Sequence, residues 1–326
     1  MQTVIDRKLL VITGKGGVGK TTIAAAMGVL AARSGKRTIV VEVGQESRLP
    51  TLFGVPVPKP GIEARLQEGL SSISIDPDRA LLEWLQSLGG RVSGRVLASS
   101  GTFQYFAAAA PGARELVAMV KIWRLTRGSG RGRHSDGYDL VVLDAPATGH
   151  ALGLLGSAQT FGAIARVGPI ARQTHEVQQL LETPSHTAYV AVTLATEMAV
   201  TEVLELEDGL HRQLDRELSA VVVNALLPRR FSTDELHRIE SLSQQSAGDA
   251  PRGIVATQPV LAAQRNVTNS AIRAARAVHD RGRFQHNQLA RLRRRNFEVI
   301  GIPFVWDAQL NLEAVTDIAK RLERAL

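Results

Sequence analysis

Short runs of consecutive apolar residues alternate along this chain with longer stretches whose apolar positions recur at helical spacing. Lys8–Thr13, Thr38–Val43, Tyr138–Leu143, Ala188–Leu194 and Ala220–Asn224 have the near-continuous hydrophobicity of strands buried on both faces. Ile73–Asp76 and Phe297–Pro303 read as two further short strands. Thr21–Arg33 is alanine-rich and helical, and Gly35 stops it. Helical patterns also run from about Pro77 to Thr126, from Met198 to Leu218, over Ser232–Ala247 and Val260–Asn296, and over Asn311–Leu326. Prolines 50, 56, 58 and 60 mark a loop, and Arg127–Gly137 reads as a flexible basic one. Strands alternating with helices predict an α/β fold with a doubly wound, mostly parallel sheet. The expectation is one domain over residues 1–326, with helical insertions at about 77–126 and about 230–296.

Gly14-Lys15-Gly16-Gly17-Val18-Gly19-Lys20-Thr21-Thr22 follows the first strand and opens the first helix. Two patterns fit it. Gly14, Gly16 and Gly19 satisfy G-x-G-x-x-G, and Glu42 ends the next strand, where a dinucleotide fold places a ribose-binding carboxylate. The segment also satisfies G-x-x-x-x-G-K-[ST] in full. A lysine followed by a hydroxyl at this corner has little use in a dinucleotide site, so the second pattern is favoured over that reading and over a plain glycine-rich turn. Glycines let consecutive N–H groups converge on phosphate oxygens at a helix N-terminus. Lys20 then neutralises the terminal phosphates and Thr21 holds a metal ion, so the expected ligands are ATP and Mg²⁺. Asp144, closing the strand Val141–Leu143, is the expected second metal-site residue.

The extra lysine, Lys15, gives the deviant form K-G-G-x-G-K-T-T. This resembles the dimerising P-loop ATPases that include the arsenite-pump, septum-placing, partition and nitrogenase-iron proteins, a SIMIBI-type fold. Asp144-Ala145-Pro146-Ala147-Thr148-Gly149-His150-Ala151-Leu152 is similar to the D-T-A-P-T-G-H-T-L switch of the arsenite-pump ATPase (ArsA) and of the ATPase that delivers tail-anchored membrane proteins. Pro111–Glu115 resembles that family's P-G-x-x-E helix start. The resemblance is strongest to the bacterial anion-transporting ATPase branch. It implies that Lys15 reaches the nucleotide of a dimer partner and that Asn224 reads adenine. It also implies that Pro303 and Phe304 close over the base, and that a loop at Asp144–His150 moves when the γ-phosphate leaves. His150 either reports nucleotide state or is a satisfied loop residue, and Phe304 is either a base contact or core.

The chain departs from that family in its first switch. The relatives read roughly G-K-x-V-L-x-x-x-T-D-P-A-H, and here Gly44 stands at the aspartate that positions the attacking water. Glu42 and Glu46 are the candidate substitutes, neither at the family's spacing, so slow or absent hydrolysis is implied. A hydrolysis-poor subunit paired with a complete paralogue is therefore an alternative to a self-sufficient ATPase, and the dimer is either a homodimer or such a heterodimer.

Composition narrows the rest. Without cysteine, disulfides, a cysteine nucleophile, arsenite capture by thiolates and a Cys-x-x-Cys zinc clasp are excluded. The four methionines are scattered, so no methionine-rich groove for a hydrophobic cargo exists, although apolar helices such as Phe103–Trp123 leave protein or hydrophobic cargo open. No apolar run reaches the ~18 residues of a membrane span, and Met1–Lys8 lacks a signal peptide's apolar stretch, so a cytoplasmic protein is expected. The net charge of +8 and the run Arg291–Arg295 support a DNA-partition ATPase as a rival. The aromatic content of 4% disfavours base-stacking platforms, and Thr148-Gly149-His150 points away from DNA.

Overall fold

The computed structural model describes residues 3–88, 112–127, 137–164, 168–248, 258–307 and 310–326. Its centre is an eight-stranded sheet in the order β3-β4-β2-β5-β1-β6-β7-β8. The strands are β1 (Leu9–Gly14), β2 (Thr38–Val43), β3 (Ala64–Gln67), β4 (Leu70–Ile75), β5 (Leu140–Ala147), β6 (Thr187–Leu194), β7 (Ala220–Leu226) and β8 (Glu298–Pro303). Only the edge strand β3 is antiparallel to its neighbour. The helices are α1 (Lys20–Arg33), α2 (Leu49–Leu52), α3 (Pro77–Leu88), α4 (Ala113–Arg127), α5 (Thr148–Ile164), α6 (Gly168–Glu182), α7 (Glu197–Leu214), α8 (Thr233–Gly248), α9 (Gln258–Leu292) and α10 (Leu312–Ala325).

Successive residues of a strand point to opposite faces, and the two faces carry separate cores. Leu10, Ile12, Val40, Val142, Val190 and Val222 pack with α1 and α10. Leu9, Val11, Val41, Leu143, Tyr189 and Val223 pack with α3 to α7. This is why the strands read as continuous apolar runs: both faces are covered. The predicted doubly wound α/β sheet is the observed one.

Several elements differ from the sequence reading. The short edge strand β3 and the single-turn α2 were not expected, and neither were α5 and α6. The segment expected as a loop at Asp144–His150 is instead the end of β5 followed by the first turn of α5. The helix expected to begin near Pro111 is α4, with Gly112 in a left-handed conformation (φ 82°) just before it. Most of the expected basic loop at Arg127–Gly137, and the first half of Phe103–Trp123, lie outside the described residues.

Candidate functional site

β1 ends at Gly14 and α1 starts at Lys20, so the intervening loop sits at the carboxyl ends of the parallel strands, where open α/β sheets bind ligands. Two glycines make this geometry possible. Gly14 has φ 141°, and a Cβ there would lie 2.1 Å from the Val192 carbonyl oxygen on β6. Gly19 has φ 95°, and a Cβ would lie 2.4 Å from Asn224 Nδ2. Gly16 and Gly17 have nothing within 4 Å of their Cβ positions and border a cavity of about 760 Å³. Lys20, Thr21, Thr22, Glu42, Glu46, Arg48 and Asp144 also line it. Val18 is buried and anchors the loop from behind.

Lys20 Nζ donates to the Lys15 carbonyl at 3.0 Å. Burial lowers the pKa of this amine, against the pull of Asp144. Thr21 Oγ1 donates to Asp144 Oδ2 at 2.5 Å, joining residues 123 positions apart. The register makes this contact: Asp144 lies between Ile12 of β1 and Glu42 of β2. Burial pushes the Asp144 carboxyl up to about 6; the Thr21 hydroxyl opposes this, the Glu42 charge adds to it, and Lys20 and Arg48 oppose it further. Its second oxygen, Oδ1, is buried without a hydrogen-bond partner. An orphaned carboxylate oxygen beside a threonine hydroxyl is a donor set that fits Mg²⁺. Among the described residues no three acidic or histidine side chains cluster to hold a metal alone. Such an ion would therefore share its coordination with phosphate oxygens and water, as Mg²⁺ commonly does.

The other predicted residues divide. Glu42 is buried in the same cavity, but it accepts from Ser47 Oγ and from the backbone N–H groups of Arg48 at 2.9 Å and Leu49 at 3.5 Å. Its carboxylate thus holds the segment entering α2. Glu46 lines the cavity, and Gly44 is tied to β4 through Ile75 and Ser74. Lys15 Nζ lies 2.6 Å from Glu202 Oε1 on α7. Asn224 donates from Nδ2 to the Val18 carbonyl at 2.9 Å, bracing the loop. Pro303 ends β8 and Phe304 follows it, its N–H donating to the Leu226 carbonyl at 2.9 Å. His150 is exposed in the first turn of α5.

The anion-transporting ATPase family (ArsA) matches residues 7–173, which hold both the loop and Asp144. The chain belongs to the ArsA family. It is 31% identical over 237 residues to ATPase BagA of Mycobacterium tuberculosis, covering 70% of this chain and 68% of that one. It is 29% identical to a Halobacterium salinarum protein provisionally named as an arsenical pump-driving ATPase, over 70% of this chain and 37% of that one. It is also 29% identical to ATPase GET3 of Paracoccidioides lutzii, over 48% and 45% of the two chains. The protein is thus an ATPase of the ArsA class.

Three features of this ArsA-family site go beyond the sequence reading. Glu202, the partner of Lys15, is 187 residues away and follows no motif. Arg48 lines the cavity and acts on the Asp144 charge; its place soon after β2, in the first-switch segment, was the available signal. Thr148 Oγ1 is buried without a partner at the start of α5.

Proposed function

We propose that this protein is a dimeric switch ATPase in which Mg-ATP binding and hydrolysis move helices that engage a partner or cargo. The observation that carries the reading is the Thr21–Asp144 hydrogen bond, which joins a hydroxyl and a carboxylate in the wall of a glycine-lined cavity. The loop N–H groups of Gly14–Thr22 and the Lys20 ammonium hold the phosphates. Thr21 and Asp144 hold Mg²⁺, which supplies positive charge to the phosphate oxygens during transfer. A phosphate group beside Lys20 offsets the desolvation of its ammonium. Lys15 exchanges Glu202 for the partner subunit's phosphates. Glu42 keeps Arg48 at the cavity wall. Asn224, Pro303 and Phe304 frame the adenine. Because Asp144 and α5 are contiguous in sequence, a shift of the metal site is passed to the helical layer, with residues about 77–126 and about 230–296 as the responding parts. Hydrophobic or protein cargo suits this layout.

Steady-state ATP hydrolysis, measured beside ATP binding and a Lys20→Ala control, tests the reading. Turnover that disappears in the control supports it. Absence of both binding and turnover in the unaltered protein refutes it. The second reading is a nucleotide-holding subunit completed by a catalytic paralogue. It rests on Gly44 at the switch position and on the engaged oxygens of Glu42. Tight ATP binding with turnover only after a paralogue is added is its signature.

A further inference from the structure

Residues 258–295 contain nine arginines, one aspartate and neither lysine nor glutamate. The remaining residues carry thirty basic and thirty acidic side chains, so the entire +8 excess of the chain resides in this one segment. Most of it is α9, a helix about 50 Å long at 1.5 Å per residue. Ala275, Val278, Gly282, Gln285, Leu289 and Leu292 recur every three or four positions and are the less accessible side of the helix. Gln285 Oε1 accepts from the Leu227 N–H at 3.0 Å there. At 100° per residue, Arg273, Arg276, Arg283 and Arg291 fall within an arc of about 80° on the opposite side. The first three are exposed and Arg291 is half-buried. Asp280, the single acid of the segment, sits beside His279 Nδ1 at 3.2 Å.

Exposed aromatic rings accompany this ridge. Phe284 follows Arg283 and is 43% exposed, and Trp306 is 67% exposed with the Arg230 guanidinium 5.7 Å from its ring centre. Arg230 and Arg283 line one cleft of about 490 Å³. Neither has a carboxylate partner among the described residues.

We propose that the arginine ridge of α9 docks the protein onto an anionic phospholipid surface. Arginine forks match phosphate oxygens two at a time, and the ridge arginines Arg273 to Arg291 share one side of the helix over about 27 Å at 1.5 Å per residue. Phe284 and Trp306 are of the residue types that settle at the headgroup level of a bilayer. No described helix is long and apolar enough to cross a membrane, so the attachment is peripheral and falls with salt. The ridge lies outside the nucleotide site, and the inference does not depend on the switch reading.

Flotation of the full chain with phosphatidylcholine vesicles, with and without phosphatidylserine, tests this. Binding should require phosphatidylserine and disappear at high salt. Each basic residue near such a surface contributes about fivefold, so a variant with Arg273, Arg276, Arg283 and Arg291 all changed to Gln should lose roughly two orders of magnitude or more. Changing Arg65, Arg79, Arg114 and Arg127 to Gln alters the net charge equally and should cost far less. ATP binding by the ridge variant shows that it is folded, and Lys20→Ala should leave vesicle binding intact. Equal losses in the two fourfold variants would overturn the proposal in favour of unspecific charge. Binding to duplex DNA or to an acidic protein without vesicle binding would also overturn it, as would binding to none of them.

Discussion

Replacing Asp144 by Asn should make the ligand-free protein more stable relative to wild type as pH rises, although the residue is central to the proposed chemistry. In the unfolded chain this carboxyl titrates near 3.8, and in the fold burial raises it to about 6. A group with a raised folded-state pKa favours the fold most below its unfolded value and loses that contribution as pH climbs through the folded value. The displacement is roughly two pH units, so at neutral pH and above the ionised carboxylate costs about 3 kcal/mol. Asn keeps an acceptor for the Thr21 hydroxyl and removes the charge. Its amide replaces an oxygen that has no partner, which adds a constant cost of about 1–3 kcal/mol. The pH dependence is therefore the clean signal. Urea unfolding of both proteins should show the Asn variant gaining about 2 kcal/mol on wild type between about pH 4.5 and about pH 8. A difference that is flat across that range, or that grows toward acid, would refute the reasoning. Mg-ATP should stabilise wild type strongly at the alkaline end and the variant much less, because only the native site with an ionised carboxylate holds the metal.

Gly14→Ala should lower the unfolding free energy, and with it the denaturation midpoint, by roughly 1–3 kcal/mol from the strain of φ 141° alone, and the clash of its Cβ with the Val192 carbonyl adds to this. Gly16→Ala, with open space at its Cβ, should leave the midpoint unchanged and weaken ATP binding; equal stability losses would contradict the assignment of these two glycines. Glu42→Ala should destabilise the Ser47–Leu49 segment by about 1–3 kcal/mol, read as faster proteolysis near Arg48. Loss of turnover with unaltered stability would instead place Glu42 in the chemistry. Glu202→Gln should change stability by less than about 1 kcal/mol, because both ends of that ion pair are about a third exposed. Sedimentation should show readier ATP-dependent dimerisation in that variant, and no change would argue against Lys15 having to leave Glu202.

The parallel core was legible because its strands are apolar on both faces, and a run such as Leu9–Ile12 admits few other readings. β3 was not, because Ala64–Gln67 is a short polar edge with one buried residue. α5 escaped because Gly149, Gly153, Gly156 and Gly162 dilute its helical propensity. Two of those glycines face close neighbours: a Cβ at Gly156 would touch the Gln213 side chain at 3.2 Å, and one at Gly162 would lie 3.4 Å from Thr174. Tertiary contact therefore supplies what local preference lacks. The loop and Asp144, which the fold brings to one cavity, could be singled out because the motif they fit sets residue types at fixed offsets. Glu202 meets Lys15 only through its position in space, which no offset encodes, whereas Arg48 and Thr148 lie in or beside segments the sequence singles out and only the fold shows their surroundings.

The packing of α5 against α7 has a mechanical consequence. Leu152 on α5 sits where a Cβ on Gly209 of α7 would lie, only 2.6 Å from its Cδ1. The tight fit leaves little room for the helices to slide independently. A closed circuit of elements results: from Thr21 to Asp144, along α5, across to α7, back through Glu202 to Lys15, and so to the loop that holds Thr21. The two ends of the phosphate loop are linked by a path through the helical layer as well as by their own backbone. A displacement at the Thr21–Asp144 contact therefore arrives at Lys15 from two directions, and anything that presses on α5 or α7 from outside acts on both ends of the loop together.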